Sequence, residues 1–170
     1  MPSITRENHE VLTRLGSAFA SIREEVGLTQ AELAEATRLH VNTISNIERG
    51  LCEASIFSVG LLCLALGCPR IRLGELSFIP EPGPRGIAPP KDFPELVWKP
   101  GAIAVHSASF RTRRLEAGLS LRALAASAAV HPNTIWNYEH AQVALSASAA
   151  FRLYRALGVN SIGGPEGILN

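Results

Sequence analysis

The sequence has few aromatic residues and few cysteines, and each shortage excludes a class of protein. Aromatic residues make up only 6% of the 170 residues although the hydrophobic fraction is 46%, which favours small helical packing units over a β-sandwich. The three cysteines lie in one half of the chain, and their spacing matches no zinc site. We therefore expect no metal and no cofactor, and buried or idle thiols at Cys52, Cys63 and Cys68.

Long apolar runs, catalytic motifs and net charge are lacking as well. No run approaches the roughly 18 apolar residues that a membrane span requires, and the polar N-terminus carries no secretory signal, so we expect a cytoplasmic protein with no membrane partner. A Gly-rich phosphate loop and a recognisable nucleophile–base pair are both missing, so enzymatic activity is not expected. The net charge of +1 is too low for a protein that coats nucleic acid regardless of sequence.

The sequence does contain an internal repeat at a fixed offset of 91 residues. Residues 27–67 align with residues 118–158 without gaps, and 15 of the 41 aligned positions are identical. The most similar stretches are "VNTISNIERG", which begins at Val41, and "PNTIWNYEHA", which begins at Pro132. Such self-similarity indicates two copies of one structural unit.

A proline-rich segment separates the two copies. Residues 79–101 contain seven prolines, which exclude a helix or a central strand because proline lacks an amide donor and restricts the residue before it. We predict an N-terminal domain over 8–78, an extended linker over 79–101, a C-terminal domain over 102–162 and a tail over 163–170.

Each copy is predicted to consist of four to five helices, so the fold class is all-α. In the first copy, Thr29 and Glu32 form a capping box that starts the second helix, and Ser55 caps the fourth. The third helix spans residues 41–49, and residues 71–78 are predicted to form a further short helical turn. Two short helices joined by a tight turn, the second with a polar outer face, are typical of a helix-turn-helix.

The outer face of the third helix carries amides where a solvated helix usually carries Lys and Glu. Asn42 and Asn46 are four residues apart and therefore share a face one turn apart. An Asn side chain can bond adenine at N6 and N7 together in the major groove of DNA, and Val41 could contact a thymine methyl. An ordinary solvated helix surface is the alternative interpretation of the same residues.

The stretch "GLTQAELAEATRLHVNTISNIERG", which begins at Gly27, resembles the helix-turn-helix of the lambda-repressor-like family, of the Cro/repressor or XRE type. The resemblance covers about 60 residues of the first half and, more weakly, about 55 of the second. It implies a phosphate contact from the start of the second helix and a buried ion pair between the first and third helices. The implied base contacts are Val41, Asn42, Asn46, Asn133 and Asn137; the implied DNA backbone contacts are Gln30, Thr43, Ser45, Arg49 and Thr134; the ion pairs are Arg23–Glu48 and Arg114–Glu139.

The chain departs from the family pattern in several places. Arg38 stands where the family often has glycine, so the turn is either differently shaped or holds Arg38 in a left-handed conformation. The second copy has Leu121 in place of Gln30 and should lose that phosphate contact. It also has Trp136 and Tyr138 in place of Ser45 and Ile47, which suits a protein interface.

Two functional interpretations remain open at this point. The first is a sequence-specific regulator of transcription that binds double-stranded DNA, with the repressor role taken from the resemblance alone. In that case one chain imitates a dimer on an asymmetric site, or two chains form a homodimer through the C-terminal domain and read a palindrome. The second is a protein-interaction module, such as an antitoxin or anti-activator, that binds a protein partner through its helix-turn-helix surface.

Overall fold

The computed structural model describes residues 6–68, 70–74, 78–81 and 100–163, with backbone only for Phe78 and for residues 100–105. Within these residues the first copy contains α1 (Arg6–Val26), α2 (Gln30–Thr37), α3 (Val41–Glu48), α4 (Ile56–Ala65) and the strand β1 (Arg70–Leu73). A second strand, β2 (Phe78–Glu81), follows. The second copy contains α5 (Pro100–Glu116), α6 (Leu121–Ser127), α7 (Pro132–Glu139), α8 (Ala147–Ala156) and the strand β3 (Ser161–Gly163). The predicted all-α architecture of two helix-turn-helix domains is thus confirmed.

Local sequence signals explain where the helices begin. Thr29 accepts the backbone N–H of Glu32 while the Glu32 carboxylate accepts the backbone N–H of Thr29, which closes the predicted capping box. Ser55 and Ser146 cap α4 and α8 in the same way, each accepting a backbone N–H three residues on. These caps lie at matching positions, so the repeat in the sequence is a repeat of backbone structure.

A small sheet replaces the helical turn that we predicted after α4. β1 lies in the centre, antiparallel to β2 on one side and to β3 on the other. The prediction was wrong because such short strands give almost no periodicity, and one partner of β1, the strand β3, lies in the other copy. Pro80 lies in β2, where a missing amide donor is tolerated because that strand is at the edge.

The predicted linker is shorter than 79–101 at both ends. Its first residues, 79–81, belong to β2, and its last residues, Pro100 and Gly101, belong to α5. The intervening residues 82–99, and residues 164–170 of the predicted tail, lie outside the described residues. The domain boundaries at 8–78 and 102–162 therefore stay predictions.

The two copies pack directly against each other around an approximate twofold axis. The backbone N–H of Ile56 donates to the carbonyl of Leu145 at 2.8 Å, and the N–H of Ala147 donates to the carbonyl of Ala54 at 2.7 Å. These two bonds are equivalent under the 91-residue offset, and they flank a bridge between the matching residues Ser55 and Ser146. In the sheet, Ile71 of β1 lies opposite its own counterpart, Ile162 of β3. Pairing of like with like is the signature of an isologous, dimer-type contact.

Side chains extend this contact along α1, α4 and α8. The buried apolar residues of both copies form a single cluster, to which Val59, Leu62, Phe151 and Leu153 belong. At its border Arg155 forms an ion pair with Glu7 at 2.9 Å, and Arg152 donates to the side-chain oxygen of Asn8. The chain thus contains two helix-turn-helix units in the relation that two subunits of a dimer would have.

Candidate nucleic-acid interface

Helix α3 separates its apolar residues from its amides. Ile44 and Ile47 are buried and join the core, whereas the side chains of Asn42 and Asn46 are exposed. Val41 is 39% exposed, and Thr43 and Ser45 are half-buried along the flank of the same helix. The structure therefore directs both amides outward, where they are accessible to a ligand as large as duplex DNA.

The start of α3 is held by His40. Its ring nitrogen Nδ1 accepts the backbone N–H of Asn42 at 3.2 Å, which occupies an amide that would otherwise be unpaired in the first turn. His131 does the same for Asn133 in the second copy, also at 3.2 Å. Both histidines therefore act as helix caps.

A buried ion pair fixes the end of α3 to α1. Arg23 Nε donates to Glu48 Oε1 at 2.6 Å and Arg23 Nη2 donates to Glu48 Oε2 at 3.1 Å, while Nη1 donates to the carbonyl of Leu28. The hydrogen bond that Arg23 donates to Glu48 is the main reason that the pKa of Arg23 is raised, since it stabilises the charged form. We call this meeting point of α1, the α1–α2 turn and α3 the junction.

Gln30 belongs to the junction and is only half-buried. Its side-chain Nε2 donates to Glu48 Oε2 at 2.7 Å, which uses one of the two N–H bonds of the amide. The second N–H remains available for an acceptor such as a phosphate oxygen. The buried carboxylate thus orients the side chain for which the resemblance implies a DNA backbone contact.

The second copy builds the same junction without the glutamine. Arg114 donates to both carboxylate oxygens of Glu139, at 2.5 and 2.8 Å, and to the carbonyl of Leu119 at 2.8 Å. Leu121 takes the position of Gln30 and brings no polar group. On α7, Asn133 is exposed, while Thr134 and Asn137 are half-buried.

Trp136 and Tyr138, which we grouped as a protein interface, lie in opposite environments. Trp136 is 42% exposed, and its ring stacks on His140 with centroids 4.0 Å apart. Tyr138 is fully buried, so its assignment to a surface was wrong. It occupies the core position of Ile47, hydrogen bonds to the hydroxyl of Tyr154 at 3.1 Å and packs on Phe110. Burial raises the pKa of Tyr138 to about 12.

The turns between the second and third helices carry positive φ angles without glycine. Arg38 has a φ of 55° and a ψ of 24°, so it adopts the left-handed conformation that was one of two possibilities from the sequence. Its counterpart Ala129 has a φ of 49°. The turn therefore has the shape that glycine favours, at a modest cost in conformational energy.

Sequence reasoning missed the residues that join the copies. Glu53 accepts a hydrogen bond from the hydroxyl of Ser148, and Arg155 and Arg152 reach α1 of the first copy. One signal was available: Ile71 and Ile162 are identical at the 91-residue offset, which extends the repeat beyond the aligned window and into β1 and β3. The lateral contacts of α8 have no such signal because Arg152 and Arg155 match leucines in the first copy.

In the ranges that the structure describes, no group of His, Cys, Asp or Glu side chains could hold a metal ion. No helix among the same residues combines the length and the apolar character that crossing a bilayer demands. Cys63 and Cys68 are buried, and burial raises the pKa of both thiols.

Comparison with known families matches both halves of the chain. A helix-turn-helix family model matches residues 19–73, and a helix-turn-helix domain model matches residues 107–162. The chain belongs to the lambda-repressor-like, XRE-type helix-turn-helix family and contains two tandem copies of its domain. In general terms it is a DNA-binding regulator, from a class whose members are typically not enzymes. Searches among curated proteins and among solved structures found no match.

Proposed function

We propose that this chain is a sequence-specific transcriptional repressor that binds double-stranded DNA with α3 in the major groove and α7 as a second reading helix. The observation that carries the proposal is the outward direction of two amides on a helix whose opposite face is anchored in the core. Asn42 and Asn46 are both exposed, while Ile44 is completely buried between them. A rigid helix that exposes amides in place of flexible charged side chains suits bidentate hydrogen bonding to adenine.

Contacts to the DNA backbone complete the proposed docking of α3. Gln30 is oriented by Glu48 at the junction, and Arg49 is exposed directly after α3. Thr43 and Ser45 flank the amides at half-buried positions from which a hydroxyl can reach a phosphate oxygen. Phosphate contacts set the register of a recognition helix, and base contacts then specify the sequence.

The twofold relation between the copies supports a binding site with two parts. Dimeric helix-turn-helix proteins place two recognition helices on half-sites about one DNA turn, roughly 34 Å, apart. Here one chain contains both helices, and the Ser55–Ser146 and Ile71–Ile162 pairs hold the two copies together. Because α7 has Trp136 and lacks an equivalent of Gln30, the two half-sites should differ in sequence.

Selection of bound duplexes from a random pool tests the proposal. We expect an enriched site with two unequal halves. Asn42→Ala and Asn46→Ala should each weaken binding to the enriched duplex by about 1–3 kcal/mol and relax base choice. Asn160→Ala, which removes an exposed amide far from α3 and α7 in sequence, is the matched control and should bind like the wild type. Unchanged binding by both α3 variants would exclude α3 as the reader.

The repressor role rests on the family resemblance and has its own test. A chain bound across a promoter occludes it, so a reporter with the enriched duplex placed between promoter elements should lose expression when the wild-type chain is present. Asn42→Ala/Asn46→Ala should restore expression at equal protein level. Increased expression with the wild-type chain would identify an activator.

A protein partner, including a second copy of this chain, is the other candidate, and Trp136 is the observation in its favour. An exposed tryptophan stacked on His140 is unusual at the centre of a DNA-reading helix and common in protein interfaces. Trp136→Ser installs the residue found at position 45. If α7 reads DNA, the selected sequence should change in one half only; if Trp136 joins two chains, sedimentation velocity should show a dimer that this variant abolishes.

A further inference from the structure

The surfaces around the two junctions carry opposite charge. Seven matched positions lie near Arg23 or Arg114 in sequence, on the first two helices of each copy, and six of the seven pairs differ in charge. In the first copy they hold four carboxylates and no cation: Ala20, Ile22, Glu24, Glu25, Ala31, Glu32 and Glu35. In the second copy they hold three guanidinium groups and one carboxylate: Arg111, Arg113, Leu115, Glu116, Arg122, Ala123 and Ala126.

These charges lie at the surface. Glu24, Glu25, Glu32 and Glu35 are all exposed, and so are Arg111 and Arg122, while Arg113 is half-buried. Within the described part of the chain, Arg111 and Arg122 form no ion pair with an acidic side chain, so their charge is not neutralised locally. We call Arg111, Arg113 and Arg122 the basic patch.

Arg111 and Arg122 of the basic patch lie close in sequence to residues of the second junction. Arg114 binds Glu139 at the end of α7 and the carbonyl of Leu119 between α5 and α6. Arg111 lies three residues before Arg114 on α5, which places it on the same side of that helix. Arg122 lies three residues after Leu119, in the first turn of α6. In the first copy the matching junction contains Gln30, for which we propose a phosphate contact.

The first copy confines its exposed positive charge near α3 to two places. Arg38 lies in the turn before α3 and Arg49 directly after it, where the second copy has Ala129 and His140. The acidic side chains on α1 and α2 should repel phosphates, so favourable contacts made by α3 have to offset this repulsion. Binding through the first copy therefore depends on base contacts, which is favourable for discrimination and unfavourable for affinity to arbitrary DNA.

We propose that the two copies divide the work on DNA: the first supplies sequence discrimination, and the basic patch of the second binds duplex phosphates regardless of sequence. This inference rests on the proposed function insofar as the ligand is double-stranded DNA. The inference differs from the proposed function because it assigns nonspecific affinity for DNA to Arg111, Arg113 and Arg122. The acidic first copy and the basic second copy together explain how a chain with a net charge of +1 holds a polyanion.

The test uses a duplex of about 30 base pairs with a shuffled sequence, which requires no knowledge of the natural site. Affinity of the full chain is measured by fluorescence anisotropy between about 50 and 200 mM salt. Arg111→Gln/Arg122→Gln should lower affinity for the shuffled duplex and reduce the log–log salt slope by about 2, since each lost phosphate contact removes about 0.9. Affinity for the enriched duplex should fall by the same factor, so the ratio of the two affinities is unchanged.

Arg6→Gln/Arg14→Gln is the matched control, because it removes the same charge from exposed positions on α1 of the first copy. It should leave the salt slope for the shuffled duplex unchanged. Conversely, Glu25→Gln/Glu35→Gln should strengthen binding to the shuffled duplex more than to the enriched one. Circular dichroism melting should show that all three double variants fold, since every substituted side chain is exposed.

The outcomes separate the two proposals. An unchanged salt slope in Arg111→Gln/Arg122→Gln, or a slope lowered equally by the control, would overturn the division of work while leaving the reading by α3 intact. A wild-type chain that binds shuffled and enriched duplexes equally would overturn the proposed sequence specificity, while the basic patch would still account for its affinity.

Discussion

The two helix-turn-helix copies have the same backbone structure and the same buried ion pair, but they fill the core behind α3 and α7 differently. In the first copy Phe19 packs with Ile47 and Cys63 in the core. At the matching positions the second copy has Phe110, Tyr138 and Tyr154, whose rings meet edge to face and whose two hydroxyls hydrogen bond to each other. Tyr138 and Tyr154 thus replace the smaller Ile47 and Cys63 as a pair.

The difference shows which interactions define the fold and which only fill it. Both copies retain the caps, the bidentate arginine–glutamate pair and the left-handed turn, all of which fix backbone direction. Core volume, surface charge and the residues on the exposed faces of α3 and α7 have changed between the copies. A polar interaction with fixed geometry tolerates less change than an apolar space that neighbouring side chains can refill.

The largest expected effect is the loss of either buried carboxylate. Glu48→Ala and Glu139→Ala each remove the buried carboxylate that pairs with a buried guanidinium, and each should lower the free energy of unfolding by about 3–5 kcal/mol in urea titrations. Because the copies share one apolar cluster, both variants should unfold in a single transition. Glu10→Ala, which breaks only an exposed pair with Arg14, should cost less than about 1 kcal/mol. Two separate transitions would mean that the copies fold independently.

The next effect concerns the closeness of the first and third helices. A Cβ atom added to Gly16 would lie 2.2 Å from the carbonyl oxygen of Ile47, so Gly16→Ala must push α1 away from α3 and should cost about 1–3 kcal/mol or more. The matching residue, Ser107, is buried with a side chain in place, so the second copy accommodates a Cβ atom at this position. Ser107→Gly should therefore cost about 1 kcal/mol or less in thermal denaturation. Equal losses in the two copies would contradict this difference between Gly16 and Ser107.

A smaller, stabilising effect is expected in the turns. Ala129 has a φ of 49°, a conformation that costs a residue with a Cβ atom more than it costs glycine. Ala129→Gly should raise the free energy of unfolding by about 0.5–1 kcal/mol, despite the greater freedom of glycine in the unfolded chain. Ala126→Gly, an exposed position within α6, is the control and should be destabilising by about 1 kcal/mol. Destabilisation by both substitutions would show that φ at position 129 is not the limiting factor.

The smallest expected effect is a dependence on pH at the contact between the copies. His106 of α5 packs edge-on against Phe57 of α4, and burial lowers the pKa of His106 below its ordinary value of 6.5. The unfolded chain then binds a proton more readily than the folded one, so this stability is present above about pH 6.5 and is lost as the pH falls toward the folded-state value. His106→Leu installs the residue found at position 15 and should reduce the fall in melting temperature between neutral and mildly acidic pH. His9→Gln, at an exposed position, should leave it unchanged.

The sequence predicted the helices well because their capping signals, such as Thr29 with Glu32 and Ser55, are local. The two arginine–glutamate pairs of the junctions join residues 25 positions apart, and they were implied by the family resemblance and by their repetition at the fixed offset. Tyr138 was misassigned although it aligns with Ile47, whose core position should have taken precedence over the polarity of its hydroxyl.

The sheet and the packing of the copies could not be predicted in the same way. β1 is four residues long, and β3, its counterpart, contributes only three. The relative position of the copies depends on many weak contacts between α4, α8 and α1, none of which has a sequence pattern of its own. The sequence predicts an extended linker but leaves open whether the copies pack on each other; the structure shows direct packing with matched hydrogen bonds.

The pairing of Ile71 with Ile162 joins two copies within one chain, and this affects how binding depends on protein concentration. Two separate subunits must first find each other, so the number of competent pairs in a dilute cell rises with the square of the protein level. Joining both halves in one polypeptide removes that step, because their local concentration no longer depends on expression. Occupancy of the target should then increase in simple proportion to the amount of protein at low levels, a gradual response in place of a threshold.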